Sequence, residues 1–401
     1  MRNQAITFSS LNKSIYVSDL HKFDFLKTKL YREQSVIEAL KISIDPSHIF
    51  TLNAVKSDST DQNKINYFMP VFHEKLLLRK CAKNISRAFE VRSNDRHKSL
   101  RELLACLRWG PNQKVYRIDL KKYYESIPSE TLCDFIVNSK KLSEHTKGVV
   151  MRVLKQFWIN NDKGLPRGIE ISNPLANALL YDLDSLMVRQ ENCLYYSRFV
   201  DDIIIVTTGI KNDTVLRDFK DNLPAGLFFN TSKTHKLDKS KKEIEFPFLG
   251  YKIVVAGATK DGTKNYRNVD LHFSKTRETK VKSRIYSAFE DFLINDDMEL
   301  LLDRLTFLSS NRTFKRGKGK YKAGLFYNNR LANSSESAKG IDCFIYALVK
   351  NQGLGSIKGR LKLTGEQQKK IFKINFESRF NSRFHSKFNY FRNEEVTRIW
   401  L

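Results

Sequence analysis

LYYSRFVDDIIIVTT, residues Leu194 to Thr208, decides how the rest of the chain is read. Leu194 to Phe199 and Ile203 to Val206 are rich in β-branched and aromatic residues, and between them stand two adjacent carboxylates, Asp201 and Asp202. The pattern predicts strand, acidic turn, strand. Ile203 to Val206 is apolar at every position, so the second strand is expected to be buried, with the two acids at its mouth. Unpaired charge there costs on the order of several kcal/mol, so a cation must compensate it. Taken alone, an exposed Asp-Asp turn is an equal reading, and a third carboxylate elsewhere in the chain would separate the two.

Val115 to Leu120, VYRIDL, supplies it: a short strand ending in Asp119, followed by KKYYESIP. An acid at a strand end is as readily a capping residue. Beside Asp201 and Asp202 it meets a different demand. Two Mg²⁺ ions about 4 Å apart, held by carboxylates of neighbouring strands, stabilise both the attacking and the leaving oxygen of a phosphoryl displacement.

Composition narrows the partners. A chain of 401 residues, 41% hydrophobic, can bury a large core and divide into two or three domains. Lys and Arg outnumber Asp and Glu by 70 to 44, a net +26 whose self-repulsion calls for a polyanion, nucleic acid first. Cys81, Cys106, Cys133, Cys193 and Cys343 are widely spaced without any CxxC pair, which argues against a disulfide framework or zinc site and predicts reduced core thiols. The N-terminus has no apolar h-region, and no window approaches the roughly 18 apolar residues of a membrane span. A cytoplasmic protein with no membrane partner is expected.

Met1 to Met69 mixes polar turns with short apolar groups and discloses no chemistry. Leu100, Leu103, Leu104 and Leu107 fall at helical spacing after the cap candidates Ser93, Asn94 and Asp95. Arg79, Lys80, Arg87, Arg92 and Arg96 punctuate this region, either as a solvated face or as anchors for a triphosphate or backbone. In GLPRGIEISNPLAN, Gly164 to Asn177, two glycines bracket Leu165, Pro166 and Arg167, so the backbone is extended and can approach a ligand. Ser172 or Asn173 is then expected to cap a helix beginning at Pro174, with Leu175, Leu179, Leu183, Leu186 and Met187 as its buried stripe. Leu227 to Leu237 places Lys233 after a polar turn, and Phe246 to Val255 reads as an aromatic strand pair turning at Gly250.

From Arg312 to Leu401 there are 20 Lys and Arg against 6 Asp and Glu. KRGKGKYK, with Lys315, Arg316, Lys318, Lys320 and Lys322, reads as a flexible basic run, either a solvated loop or a clamp on backbone phosphates. Phe376, Phe380, Phe384 and Phe388 recur every fourth residue, as a buried helical face rather than as base-stacking platforms.

In order, Asp119, LPRG (Leu165 to Gly168), FVDD (Phe199 to Asp202), SKT (Ser232 to Thr234) and FLGY (Phe248 to Tyr251) resemble the palm motifs of reverse transcriptases, over roughly residues 75 to 260. The resemblance implies an α+β right-hand polymerase: fingers and an antiparallel palm sheet, followed by a mainly helical thumb and C-terminal domain. The implied boundaries are 1–114 for the N-terminal and fingers region, 115–265 for the palm with inserted fingers elements, and 266–401 for the basic helical part. It implies RNA-directed DNA synthesis from dNTPs. Asp119, Asp201 and Asp202, with the Leu120 carbonyl, would hold two Mg²⁺ ions, Mn²⁺ being a substitute.

Lys233 matches the lysine that protonates the pyrophosphate leaving group, Tyr124 the steric gate against a ribose 2′-OH, and Phe248, Leu249, Gly250 and Tyr251 the primer grip. Arg79, Arg87, Arg167 and Gly168 are the remaining nucleotide-binding candidates. The family usually has Gln where this chain has Arg167, an added fixed charge at the template or incoming nucleotide. The segment Arg79 to Leu104 together with RIDLKKYYESIP looks most like the abortive-infection and antiphage-defence enzymes of bacteria. That likeness implies a bacterial, cytoplasmic setting, a dedicated non-coding RNA template, a DNA product, and a second protein partner or a homo-oligomer. Untemplated or protein-primed synthesis by the same site is the nearest alternative; a non-catalytic RNA-binding or maturase-like protein is a further one, disfavoured because all three acids are present.

Overall fold

The two halves of the opening stretch are strands, Cys193–Phe199 and Asp202–Thr207, paired antiparallel so that Phe199 faces Asp202 across the turn. The computed structural model describes residues 4–56, 65–91, 95–109, 113–208, 214–230, 235–238, 243–256, 267–316, 319–350, 357, 359–385, 388–390, 396 and 398–399. Lys114–Asp119 pairs antiparallel with Asp202–Thr207, and His235–Asp238 pairs on its other side. This four-stranded sheet runs in the order 193–199, 202–207, 114–119, 235–238. Ile203, Ile204, Ile205 and Val206 have no exposed surface. Cover on both faces is why the run is apolar at every position.

The chain forms two compact units, one of residues 1–95 and 112–238, the other of 96–111 and 239–401. In the first, Phe72–Ala88 packs on Lys29–Ile44, Glu144–Trp158 and Ser172–Leu179, and these helices share one core with Tyr116, Ile118, Ile203 and Ile205 of the sheet. The helix expected to begin at Pro174 begins at Ser172, with Ile171 as its cap, and breaks at Leu180 before resuming as Tyr181–Arg189. Ser172 is diverted from capping because its hydroxyl donates to the Pro166 carbonyl at 2.5 Å, fastening the loop before the helix. Leu175, Leu179, Leu183 and Met187 are buried as expected.

In the second unit, Arg96–Arg108 buries Leu100, Leu103, Leu104 and Leu107 and packs against Val269–Phe273, the edge of a sheet with Glu243–Phe248 and Tyr251–Ala256. Leu249 and Gly250 take φ of 46° and 76°, the two left-handed positions of a tight hairpin turn. The helices Lys275–Asn295, Met298–Leu308, Glu336–Val349, Gly365–Phe372 and Phe376–Asn381 follow.

Three expectations change here. The basic run is a hairpin rather than a flexible loop: Asn311–Arg316 pairs with Gly319–Gly324, and Asn389–Tyr390 adds in parallel beside Arg312 and Thr313. Thr313 and Tyr321 supply strand-forming side chains among the lysines. The phenylalanine face is cut short because its helix ends at Asn381; Phe376 and Phe380 are buried, whereas Phe384 is 67% exposed. Of the thiols only Cys81 is buried, its pKa pushed up to about 12 by burial, and Cys343 is exposed. Among the described residues, no helix is long and apolar enough to cross a membrane.

Candidate active site

Strand register sets the three acids. Asp119 is the cross-strand partner of Asp202, which places their Cβ atoms about 5 Å apart on one face of the sheet. One residue further, the Leu120 amide donates to the Asp201 carbonyl at 3.2 Å, bringing the turn against the end of Lys114–Asp119. Val200 turns the chain with φ of 63°, a left-handed conformation that costs a β-branched residue about 1–2 kcal/mol.

The turn is braced from behind by Arg198, which is 7% exposed. Its guanidinium donates to the Val200 carbonyl at 3.3 Å, to Asn177 Oδ1 at 2.9 Å, and to both Asp184 oxygens at 2.8 and 2.5 Å. Burial works against the Arg198 charge, but Asp184 overcomes it and holds the guanidinium above its ordinary pKa. Sequence reasoning missed this brace, since no spacing marks an Arg in one strand and an Asp in the preceding helix as partners.

The cation demanded by the acidic mouth is Arg117, whose Nε lies 3.4 Å from Asp202 Oδ1. Two residues before Asp119 on the same strand, it shares the face of the acids. Asn230 fixes Asp119 from the other side: its side-chain amide donates to Oδ2 at 3.0 Å and its backbone amide to the Asp119 carbonyl at 2.7 Å. The donor set is hard oxygen from adjacent strand ends, which suits Mg²⁺. Among the described residues, however, no three His, Cys, Asp or Glu side chains are grouped as a finished metal cage. The backbone aligns the acids, while Asn230 and Arg117 engage the Asp119 and Asp202 side chains. Leu120 forms an isolated antiparallel bridge with Phe229. Lys233 lies outside the described residues.

Tyr124 belongs to the short helix Tyr123–Ser126, anchored by the buried Tyr123, whose hydroxyl donates to the Ala176 carbonyl. Burial raises the Tyr124 pKa, so the ring is a neutral phenol, 3.4 Å from Asn173 Oδ1. Arg167 lies over this ring at 4.8 Å and grips both oxygens of Glu125, one by Nε and the other by Nη2 at 3.1 Å. The fixed charge read at Arg167 is therefore paired within the protein. Gly168 has φ of 99°, and a Cβ there would sit 2.5 Å from the Tyr67 carbonyl oxygen, so only glycine fits.

Lys75, Arg79, Lys83 and Arg87 stand at every fourth position of Phe72–Ala88 and line a cavity of about 560 Å³ with Tyr16 and Glu170. Arg79 is committed to Asp19 by two bonds of 2.6 and 2.9 Å, while Arg87 is exposed. Phe248, Leu249, Gly250 and Tyr251 belong to the second unit. A Cβ on Gly250 would lie 2.9 Å from Arg96 Nη2 and 3.2 Å from Arg277 Nη2. Arg96 also sits 5.1 Å over the Tyr251 ring. Arg96 Nε and Nη2 and Arg277 Nη1 are buried without hydrogen-bond partners, and neither arginine has a carboxylate partner among the described residues. Burial lowers the pKa of both. Arg277 and its pairing with Arg96 were missed because the chain brings them together only at the turn. Of the basic hairpin residues, Lys322 is exposed and lies 4.8 Å over the Phe388 ring; Lys318 and the side chains of Lys315, Arg316 and Lys320 lie outside what is described.

Comparison with known proteins matches part of the chain to a family. Residues 63–253 match the family described as reverse transcriptase (RNA-dependent DNA polymerase). No curated protein matches. Among solved structures, apo telomerase from Candida tropicalis is similar at 13% identity, covering 78% of this chain and 54% of that one, with a TM-score of 0.36. The same apo telomerase truncated from its C-terminal domain is similar at 12% identity over 57% of this chain and 64% of that one, with a TM-score of 0.31. The chain thus spans less than two thirds of the telomerase chains it matches. The antiparallel sheet with its helices and the mainly helical C-terminal part are those of a right-hand polymerase. Residues 63–253, within which Asp119 is registered against Asp202 beside the Asp201 turn, match the reverse transcriptase (RNA-dependent DNA polymerase) domain.

Proposed function

We propose that this chain copies an RNA template into DNA, extending a primer hydroxyl with dNTPs and releasing pyrophosphate. The observation that carries the reading is the register of Asp119 with Asp202, one residue from Asp201, inside the matched family region. Two Mg²⁺ ions bound by Asp119, Asp201, Asp202 and the Leu120 carbonyl would supply charge for the attacking and leaving oxygens. The protein's own groups do the rest. Arg117 and Asn230 hold the carboxylates in place before metal arrives. The Tyr124 ring excludes a ribose 2′-OH. Arg96 and Arg277, unneutralised at the Gly250 turn, take a primer phosphate. Arg87 and its neighbours along Phe72–Ala88 meet the triphosphate, Lys233 gives a proton to the departing pyrophosphate, and the basic hairpin from Lys315 to Lys322 follows the backbone.

The setting we propose is bacterial defence against phage, in the cytoplasm, on a dedicated non-coding RNA. Its support is the likeness of Arg79 to Leu104 and of RIDLKKYYESIP to that group of enzymes. The test is to purify the chain with its bound nucleic acid, add Mg²⁺ and labelled dNTPs, and sequence whatever lengthens. A product complementary to the bound RNA is expected, together with loss of incorporation by at least about 10³-fold in an Asp201→Asn, Asp202→Asn variant that melts like the parent. Undiminished synthesis in that variant would remove the acids from the chemistry. A repetitive product, or one attached to protein, would point to untemplated or protein-primed synthesis.

A further inference from the structure

The helical second unit has a small polar cavity of its own, about 230 Å³, between the end of Met298–Leu308, the strand Asn311–Arg316 and the helix Phe376–Asn381. Arg379, Arg383, Ser309, Ser310 and Asn389 line it. Arg379 donates to the Ser309 hydroxyl and reaches the Thr306 carbonyl at 3.5 Å. Arg383 donates to the carbonyls of Phe380 at 2.6 Å and Ala332 at 2.7 Å, and lies 3.7 Å over the Phe380 ring. Carbonyls and ring faces orient these guanidinia but do not neutralise them, and neither has a carboxylate partner among the described residues. Burial lowers the pKa of both. Two donors are left over: Arg383 Nε and the hydroxyl of Ser310, a residue 7% exposed, are buried without a partner.

Two half-buried cations with no counter-charge and two unused donors around one cavity describe half of an ionic site. We propose that this cavity binds a phosphoryl group, held by Arg379 and Arg383 with Ser310 as a third donor. A tetrahedral oxyanion suits it because the donors converge from two separate stretches of the chain, 379–383 and the link at Ser310, and guanidinium forks match phosphate oxygens in pairs. The phosphoryl group is either a backbone phosphate of bound nucleic acid or a free phosphate, and the experiment separates them.

The full-length chain is melted in rising inorganic phosphate at fixed ionic strength. The parent gains melting temperature; Arg383→Gln and Arg379→Gln lose the gain, and Lys362→Gln, an exposed lysine outside the cavity, keeps it. Ser310→Ala removes only an unpartnered hydroxyl, so it should fold like the parent and need several-fold more phosphate for the same gain. It decides the matter if either arginine variant fails to fold. In the second arm, the affinity of each protein for an RNA–DNA duplex is followed against salt. A backbone source lowers the slope by about one in the arginine variants, while a free-phosphate source leaves it unchanged. The proposal is overturned if the phosphate gain and the salt slope of Ser310→Ala and of the folded arginine variants all equal those of the parent.

Discussion

Arg167→Gln would restore the side chain that reverse transcriptases usually carry and release the Tyr124 ring from its cation. Losing a guanidinium at 4.8 Å and its Glu125 anchor should loosen the ring, so discrimination of dNTPs against rNTPs is expected to fall on the order of five-fold. Tyr124→Ala should abolish discrimination while dNTP use persists. Single-nucleotide incorporation with each triphosphate checks both; a ratio moved by Tyr124→Ala but not by Arg167→Gln would mean the ring stands without Arg167. Asp19 carries a pH signature. Burial works to raise its pKa, but the Arg79 and Tyr16 bonds prevail and hold it below the ordinary 3.8. A lowered carboxylate contributes in full above its unfolded value and loses that contribution as pH falls through the folded one. Asp19→Asn should therefore cost about 1–3 kcal/mol at neutral pH and flatten the acid limb below pH 3.8, read by denaturant melts across pH.

The hairpin around Asp201 was legible because its apolar run, its acids and its β-branched flanks are all local. The Gly250 turn was legible for the same reason, as two aromatic strands and a glycine lie within ten residues. What holds these elements was not. Arg198 meets Asp184 and Asn177, Asn230 meets Asp119, and Arg277 meets the Gly250 turn through pairings that depend on three-dimensional register. The Phe376 to Phe388 periodicity misled for a related reason: helical spacing continues in the sequence after the helix has ended. Arg198→Met tests the brace. Asp184 would be left partly buried and uncompensated, which should cost about 2–4 kcal/mol in a denaturant melt and slow incorporation although residue 198 supplies no metal ligand. A variant as stable and as active as the parent would dismiss the brace.

At the scale of the whole chain, the net charge of +26 was read as a demand for a polyanion, and the fold distributes that demand. Some cations are answered inside the protein, as Arg79 by Asp19 and Arg167 by Glu125. Others, at the Gly250 turn and in the cavity of Arg379 and Arg383, have no acid among the described residues. Composition counts both kinds alike, so it could call for a polyanion but not say which cations the fold leaves to meet one.

The helix Arg96–Arg108 belongs to the second unit although the chain returns to the first at residue 112. The strand it packs against, Val269–Phe273, is made about 160 residues later. At roughly 5–20 residues per second, the leucines of this helix leave the ribosome roughly ten to thirty seconds before their partner exists. Nascent chains should therefore pass through an interval in which a chaperone can seize them, and a gene fragment stopping at residue 238 would keep Asp119, Asp201 and Asp202 yet remain in that interval permanently.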